Sequence, residues 1–141
     1  MIKLVQGLAV LACLIILPAQ ASASVLAKID ISAQRMNVYV NGMHYHSWAV
    51  STARRGYRTP RGSYRPTRMH RMWHSRKYNM SPMPYSVFFR GGYAIHGTNY
   101  VSRLGRPASH GCIRLRTSNA RRLYSLIKQH GARNTRIRIT N

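Results

Sequence analysis

The sequence predicts a single, mostly β domain, with mixed sheets in a sandwich or barrel-like arrangement and one main C-terminal α-helix. Three observations favour this fold class. Short segments alternate apolar and polar residues with period two, strong turn signals separate them, and only one segment has a sustained helical period. The length of 141 residues is that of one domain, and we expect no repeat, linker or second domain.

The first predicted strands lie near the start of the domain. Residues 29–31 and 36–40 alternate apolar and polar side chains, and Asn41-Gly42 follows them. An Asn-Gly pair between alternating segments is the strongest short hairpin signal. We therefore expect residues 45–51 to form the returning strand.

The middle of the chain is harder to assign. Residues 54–77 are dense in Arg, Pro and Gly and show no sustained helical period, so we expect turns, short strands and a functional loop that could cover a site. Residues 87–89 and 93–95 flank Gly91-Gly92 and predict another hairpin, which leads directly into His96.

One segment predicts a helix. Apolar side chains recur there at i, i+3, i+4 and i+7: Ala120, Leu123, Tyr124 and Ile127. Thr117-Ser118 precedes them and can cap the helix, and Gly131 can end it. Residues 136–139 then alternate as a last strand.

The N-terminus is typical of a secretory signal peptide. A basic start at Lys3 precedes an apolar run over residues 8–17, and small residues follow at the cleavage sites that end at Ala21 or Ala23. We expect residues 1–23 to be removed, leaving a domain of residues 24–141. A membrane anchor is the alternative, but the run is shorter than the ~18 apolar residues of a spanning helix. Lipidation at Cys13 would leave apolar residues after the cysteine. The protein is therefore expected in the periplasm or cell wall, with no stable membrane span.

The charge is unusually one-sided. The chain has 23 Lys and Arg residues, 19 of them Arg, against one acidic residue, Asp30. Mechanisms that need paired carboxylates, calcium cages or Mg²⁺-phosphate sites are therefore excluded. A basic surface also suits nucleic acid, but an exported protein meets other polyanions. We expect it to bind anionic cell-envelope polymers and no nucleic acid.

Two histidine pairs have spacings that metal sites use. His44 and His46 could share one face of a strand, and His70 and His74 could share one face of a helix. Carboxylates and further cysteines are missing around them. We therefore expect surface or packing roles for these four side chains, and neither a metal nor another cofactor.

The chemistry is concentrated between residues 93 and 115. Removal of the signal peptide leaves Cys112 as the only cysteine, next to Gly111 and close in sequence to His96 and His110. A thiol nucleophile needs a neighbouring base or cation, and backbone N–H groups in a tight turn can hold an oxyanion. Spacing alone leaves open which histidine is the base.

The motif around Cys112 resembles the catalytic domain of the L,D-transpeptidases (YkuD-like). Ser109-His110-Gly111-Cys112, followed by an apolar residue and Arg114, fits that family's signature, with His96 sixteen positions before the cysteine. Thr59-Pro60-x-Gly62, Met83-Pro84-Tyr85 and Ala120-x-x-Leu123-Tyr124 also look like family positions. The similarity runs from about residue 28 to the C-terminus.

The resemblance implies a role for each matching residue. The catalytic set is Cys112 as nucleophile, His96 as general base, the backbone carbonyl of Gly97 as the group that orients His96, and Gly111 in the oxyanion hole. The substrate-binding set is Tyr85, Thr98, Ser109, His110 and Arg114. Asn119 stands where the family commonly has Asp, and it can still cap the helix.

The implied substrate is a peptidoglycan stem tetrapeptide. Cys112 would attack the carbonyl of its third residue and release D-alanine. An amine acceptor then gives a 3-3 cross-link or protein attachment, whereas water gives L,D-carboxypeptidase trimming. A basic wall-binding protein without catalysis is the alternative of another class. The sequence leaves the acceptor open.

Overall fold

The computed structural model describes residues 7, 10–17 and 23–141. The predicted signal peptide and its cleavage sites lie largely outside the described residues. Residues 10–17 form no regular element, and their large apolar side chains are exposed. Among the residues that are described, no helix has the length and apolar character needed to cross a membrane.

The described part of the chain forms nine strands and one α-helix. The strands are β1 (Val25–Asp30), β2 (Arg35–Val40), β3 (Met43–Ala49), β4 (Gly62–Tyr64), β5 (Arg68–Ser75), β6 (Ser81–Arg90), β7 (Tyr93–Thr98), β8 (Ile113–Arg116) and β9 (Thr135–Thr140). Helix α1 (Thr117–His130) lies between β8 and β9, and short 3₁₀ turns occur at Arg76–Tyr78, Val101–Arg103 and Ala132–Asn134.

These strands make two mixed sheets. The first has the order β3-β2-β1-β9-β4, and the second has the order β5-β6-β7-β8. The pairs β1/β9 and β7/β8 are parallel, and the other neighbours are antiparallel. The predicted fold class, mostly β with mixed sheets and one C-terminal helix, is confirmed.

Both predicted hairpins form. Asn41 and Gly42 have φ values of 49° and 79°, the left-handed backbone that a two-residue hairpin turn requires. The returning strand begins at Met43, two residues before the predicted start, because pairing resumes directly after the turn. Gly91 likewise has positive φ, and the chain passes from β6 through this turn into β7.

The helix buries the side chains that its period predicts, namely Ala120, Leu123, Tyr124 and Ile127. It ends at Gly131, as expected. The predicted N-terminal cap is wrong, because the cap position is Arg116 and no side chain caps the helix. Strand β8 continues directly into α1, so Thr117, Ser118 and Asn119 already lie in the first turn.

Residues 54–77 are more regular than the sequence indicates. β5 is an eight-residue strand that pairs with β6 along nearly its whole length. Its exposed arginines hide the alternation that would have marked it. Since His70 and His74 lie on this strand, the proposed helical face for the pair is wrong.

The core lies between the two sheets and α1. Apolar side chains that include Val38, Val87, Ile95, Leu115 and Ile137 are almost completely buried there. Burial of one such side chain stabilises a fold by about 1.5–3 kcal/mol. A second cluster of Met83, Phe88 and Ala94 covers the opposite face of the β5–β8 sheet, where Trp73 and Cys112 pack against it.

Candidate active site

Strands β7 and β8 bring the histidine and the cysteine onto one face of the sheet. Ile95 pairs with Ile113, and both side chains enter the core. Because side chains alternate along a strand, His96, Cys112 and Arg114 face the other way. His96 lies opposite Arg114 and, by the same register, diagonal to Cys112, which packs against Ala94.

His96 is held in one orientation by the backbone of its neighbour. Its ring is buried, and Nδ1 lies 2.7 Å from the carbonyl oxygen of Gly97. A carbonyl can only accept, so Nδ1 carries the proton and Nε2 keeps its lone pair. Burial lowers the pKa of His96 to about 4, against the opposing effect of the Gly97 hydrogen bond, and Arg114 lowers it further. The imidazole is neutral near pH 7.

Gly97 occupies a place that has no room for a side chain. A Cβ atom there would lie 2.8 Å from Oγ1 and 2.9 Å from Cα of Thr117 at the start of α1. The close packing of β7 on the helix therefore requires glycine. It also fixes the carbonyl that orients His96.

The Cys112 thiol is half-buried and packs against Met83, Phe88 and Ala94. Its sulfur lies 3.8 Å from the carbonyl oxygen of Gly92, so its hydrogen bond goes there rather than to His96. Burial raises the pKa of the thiol, and the Ala94 backbone and Arg114 partly offset this. The resting pair is thus a neutral thiol and a neutral imidazole.

The turn before Cys112 depends on Gly111 and Ser109. Gly111 has φ +135°, and a Cβ atom would lie 2.6 Å from Cε1 of Tyr93 and 2.9 Å from the Arg58 carbonyl oxygen. Its N–H donates to Oγ of Ser109 at 3.0 Å, and that hydroxyl donates to the Cys112 carbonyl at 2.6 Å.

These bonds change two expectations. Ser109 is 1% exposed, so it braces the turn instead of facing a substrate. The Gly111 N–H already has an acceptor and is not free for an oxyanion. The N–H groups of His110 and Cys112 donate to no acceptor within the described chain, and that of Cys112 adjoins the thiol.

His110 is the centre of an aromatic column. Its ring stacks on Tyr78 at 4.1 Å between centroids and meets Tyr57 edge-on at 4.8 Å. Arg54 lies over the ring of Tyr57, and Lys77 lies over the ring of Tyr78. Burial lowers the pKa of His110, and Arg54, Arg114 and Lys77 add to the effect. The column joins Tyr57 and Tyr78, near the two ends of the 54–77 segment, to the turn that carries Cys112.

Sequence reasoning did not identify Tyr57 and Tyr78. They belong to no motif, and they are about twenty residues apart in a segment whose strand was hidden. The one available signal was that both tyrosines sit beside basic residues at the ends of the segment expected to cover the site.

The other expected binding residues have different surroundings. Arg114 is half-buried and lines an open pocket of about 250 Å³ together with Arg54, Tyr100, Arg103 and Ala108. Thr98 accepts a hydrogen bond from the Tyr100 N–H at 3.1 Å and so positions that residue.

Tyr85 lies with the packing residues. Its ring meets Tyr124 of α1 edge-on, with centroids 5.6 Å apart, and it packs against the main core. We therefore do not assign Tyr85 to the substrate pocket.

Metal-ligating side chains do not assemble in the part of the chain that the structure describes. No three His, Cys, Asp or Glu residues of residues 7, 10–17 and 23–141 come within reach of one ion. His44 instead contacts Asn37 and Tyr39, and His46 stacks on Trp48 at 4.7 Å.

Comparison with known proteins identifies one protein family whose model matches this chain. The model of the YkuD family, the L,D-transpeptidase catalytic domain, matches residues 24–139. A search of curated proteins finds no match.

Solved structures show the same fold. An L,D-transpeptidase from Mycobacterium smegmatis is similar with a TM-score of 0.73 and 24% identity, over 84% of this chain and 59% of that chain. One from Stackebrandtia nassauensis has a TM-score of 0.72 and 23% identity, over 84% and 56%. One from Xylanimonas cellulosilytica has a TM-score of 0.71 and 24% identity, over 86% and 62%. The chain spans less than two thirds of the length of each.

Proposed function

The chain belongs to the L,D-transpeptidase (YkuD) catalytic domain family, and we propose that it is an exported peptidoglycan L,D-transpeptidase with Cys112 as its nucleophile. The observation that carries the proposal is the 2.7 Å hydrogen bond from His96 Nδ1 to the Gly97 carbonyl. It leaves Nε2 as a base on the sheet face that carries Cys112. A backbone carbonyl thereby does the orienting work of a carboxylate, in a chain with a single acidic residue.

The first half of the reaction forms an acyl-enzyme. The thiol rotates away from the Gly92 carbonyl and gives its proton to Nε2 of His96 as the sulfur attacks the carbonyl carbon of the third stem residue. The new C–S bond leaves a negative charge on oxygen, which the Cys112 N–H stabilises. The C–N bond then breaks, and D-alanine leaves with the proton from His96.

The second half transfers the acyl group. An amine from a neighbouring stem or a lipoprotein gives a proton to His96 and attacks the thioester carbonyl. The C–S bond breaks, and the sulfur regains the proton. With water in place of the amine, the same residues perform L,D-carboxypeptidase trimming.

A neutral starting pair suits this sequence of proton transfers. Because burial keeps both the thiol and the imidazole uncharged, His96 can accept the thiol proton only as the sulfur attacks. Arg114 adjoins both groups and favours the negative sulfur while opposing the protonated ring. These effects support general-base catalysis rather than a standing thiolate–imidazolium pair.

Product analysis tests the function directly. The protein is incubated with a purified disaccharide-tetrapeptide, and mass spectrometry measures the masses of the products. A cross-linked dimer identifies a transferase, and tripeptide alone identifies the hydrolase. Unchanged substrate would contradict both. The matched Cys112→Ala variant should give no product, whereas a wall-binding protein without catalysis would be unaffected by that change.

We also assign wall affinity to the arginine-rich surface. Most arginines of the described chain are exposed, and the single acidic side chain, Asp30, is already bonded to Ser32 and Ala33. Anionic polymers of the cell envelope offer the missing negative charge. This attraction would hold the enzyme near its substrate in the periplasm or wall.

A further inference from the structure

Two pockets are lined by residues that flank the Cys112 motif, and neither Cys112 nor His96 itself lines them. The first, of about 250 Å³, is lined by Arg54, Tyr100, Arg103, Ala108 and Arg114. The second, of about 360 Å³, is lined by Arg103, Arg106, Pro107 and Ala108. They share Arg103 and Ala108 as lining residues and therefore adjoin, and together, with four lining arginines, they are called the groove below. Only Arg114 belongs to the cysteine motif.

The groove is built on a hydrogen-bonded frame. The Arg54 N–H donates to the Ser109 carbonyl at 2.9 Å, and Oγ of Ser51 donates to the Arg103 carbonyl at 2.6 Å. The backbone of Ser51 also pairs with Arg114 through two hydrogen bonds. The backbones of Arg54, Arg103 and Arg114 are therefore fixed relative to the turn that holds Cys112.

The groove brings several positive charges close together, and no acidic side chain is among its lining residues. Burial lowers the pKa of Arg114, the Cys112 sulfur opposes this shift, and both Arg103 and Arg54 lower the pKa further. The chain's one acidic side chain, that of Asp30, lies on β1 in the other sheet. Converging guanidinium groups repel one another until an anion enters.

We infer that Arg54 and Arg103, together with Arg114, form a subsite that selects stem peptides with free carboxylates over stems in which these groups are carboxamides. The inference rests on the proposed function and names its substrate class. A guanidinium pairs with a carboxylate through two parallel charged hydrogen bonds. A carboxamide is neutral and offers one acceptor atom, so it neither forms the fork nor relieves the repulsion.

Binding is measured in a Cys112→Ala background, in which no turnover occurs. Two tetrapeptides that differ only in free or amidated side-chain carboxylates are titrated by calorimetry at low salt. Because hydrogen bonds to charged groups contribute more than neutral ones, we expect the free peptide to bind at least about tenfold more tightly. Adding Arg103→Gln or Arg54→Gln should remove most of this preference. Arg133→Gln, at an exposed 3₁₀ turn, is the matched control and should retain it.

Three outcomes would overturn the inference. The first is equal affinity for the two peptides, and the second is an equal loss of preference in Arg133→Gln. The third is tighter binding of glycerol phosphate than of the free peptide, because that result would assign the groove to polymer phosphates. The binding readout is independent of chemistry. If the wild-type protein forms no product, the proposed function fails. The calorimetric titrations still test the carboxylate preference of the groove independently of that result.

Discussion

The proton on Nδ1 of His96 is directed at the carbonyl oxygen of Gly97, 2.7 Å away, and Gly97 packs against Thr117 at the start of α1. The helix thereby sets the position of the carbonyl, and the carbonyl sets the tautomer of the proposed base. The protonation state of this ring consequently decides how activity and stability depend on pH.

The midpoint of the acid limb of the pH–rate profile should lie at a pH well below 6.5, the ordinary pKa of histidine. The base must be neutral, and burial lowers the pKa of His96 to about 4. The kcat/KM for tetrapeptide should therefore stay constant as the pH falls through 6.5 and decline only as it approaches about 4. Steady-state rates across this range test it, and a midpoint near 6.5 would contradict the neutral buried ring.

Alkylation of Cys112 should be slow at neutral pH. Burial raises the pKa of the thiol above its ordinary value of 9.0, and only the thiolate reacts. The iodoacetamide reaction, followed at Cys112 by peptide mass spectrometry, should accelerate only above about pH 9. Arg114→Gln removes a nearby positive charge and should shift the midpoint further up. Fast alkylation at pH 6 would instead indicate a standing thiolate.

Stability should fall in acid because His96 is buried as the neutral ring. Its folded pKa of about 4 lies below the ordinary 6.5, so the unfolded chain binds the proton more strongly between these values. The contribution is complete above pH 6.5 and is lost as the pH falls through about 4. The loss is on the order of 3 kcal/mol.

His96→Gln is the control for this effect, because its side chain does not titrate. Urea denaturation at pH 7 and pH 4 should show a smaller acid loss for the variant, and the difference isolates His96 from the other histidines. Equal acid losses in both proteins would contradict the assignment.

The sequence predicts the elements that depend on residues close together along the chain. The period of Ala120 to Ile127 predicts the helix, and Asn41-Gly42 predicts the first hairpin. The long strand β5 was missed because its pairing with β6, rather than its own pattern, stabilises it. The stacking of Tyr78 on His110 joins residues 32 positions apart. The bond between Gly111 and Ser109 depends on a turn geometry that no periodicity encodes.

Gly111→Ala should disrupt the turn before Cys112 through a direct clash. The added methyl group would meet Tyr93 and the Arg58 carbonyl, so the loop that carries Cys112 must move. We expect kcat/KM to fall by at least about a hundredfold, because small displacements of reacting groups are costly. Gly42→Ala also has positive φ but open space around it, so it controls for backbone strain. Equal activity losses in both variants would contradict a local clash.

Binding to isolated sacculi should weaken steeply with salt. The proposed attraction is between exposed arginines and wall anions, and salt shortens its range from about 10 Å at 0.1 M to about 3 Å at 1 M. Cosedimentation at rising salt measures the bound fraction. Cys112→Ala should bind like the wild type, since catalysis plays no part, and salt-independent binding would rule out the electrostatic account.

The central claim is that Cys112 carries the acyl group, and the intact mass of the protein tests it most directly. The protein is mixed with disaccharide-tetrapeptide, and the reaction is quenched in acid. Mass spectrometry measures the intact mass of the protein, and peptide mapping locates the adduct. The account predicts an increase equal to the mass of the substrate less that of D-alanine, on Cys112, with no adduct on Cys112→Ala. D-Alanine release by Cys112→Ala at the wild-type rate, or an adduct on another residue, would contradict it.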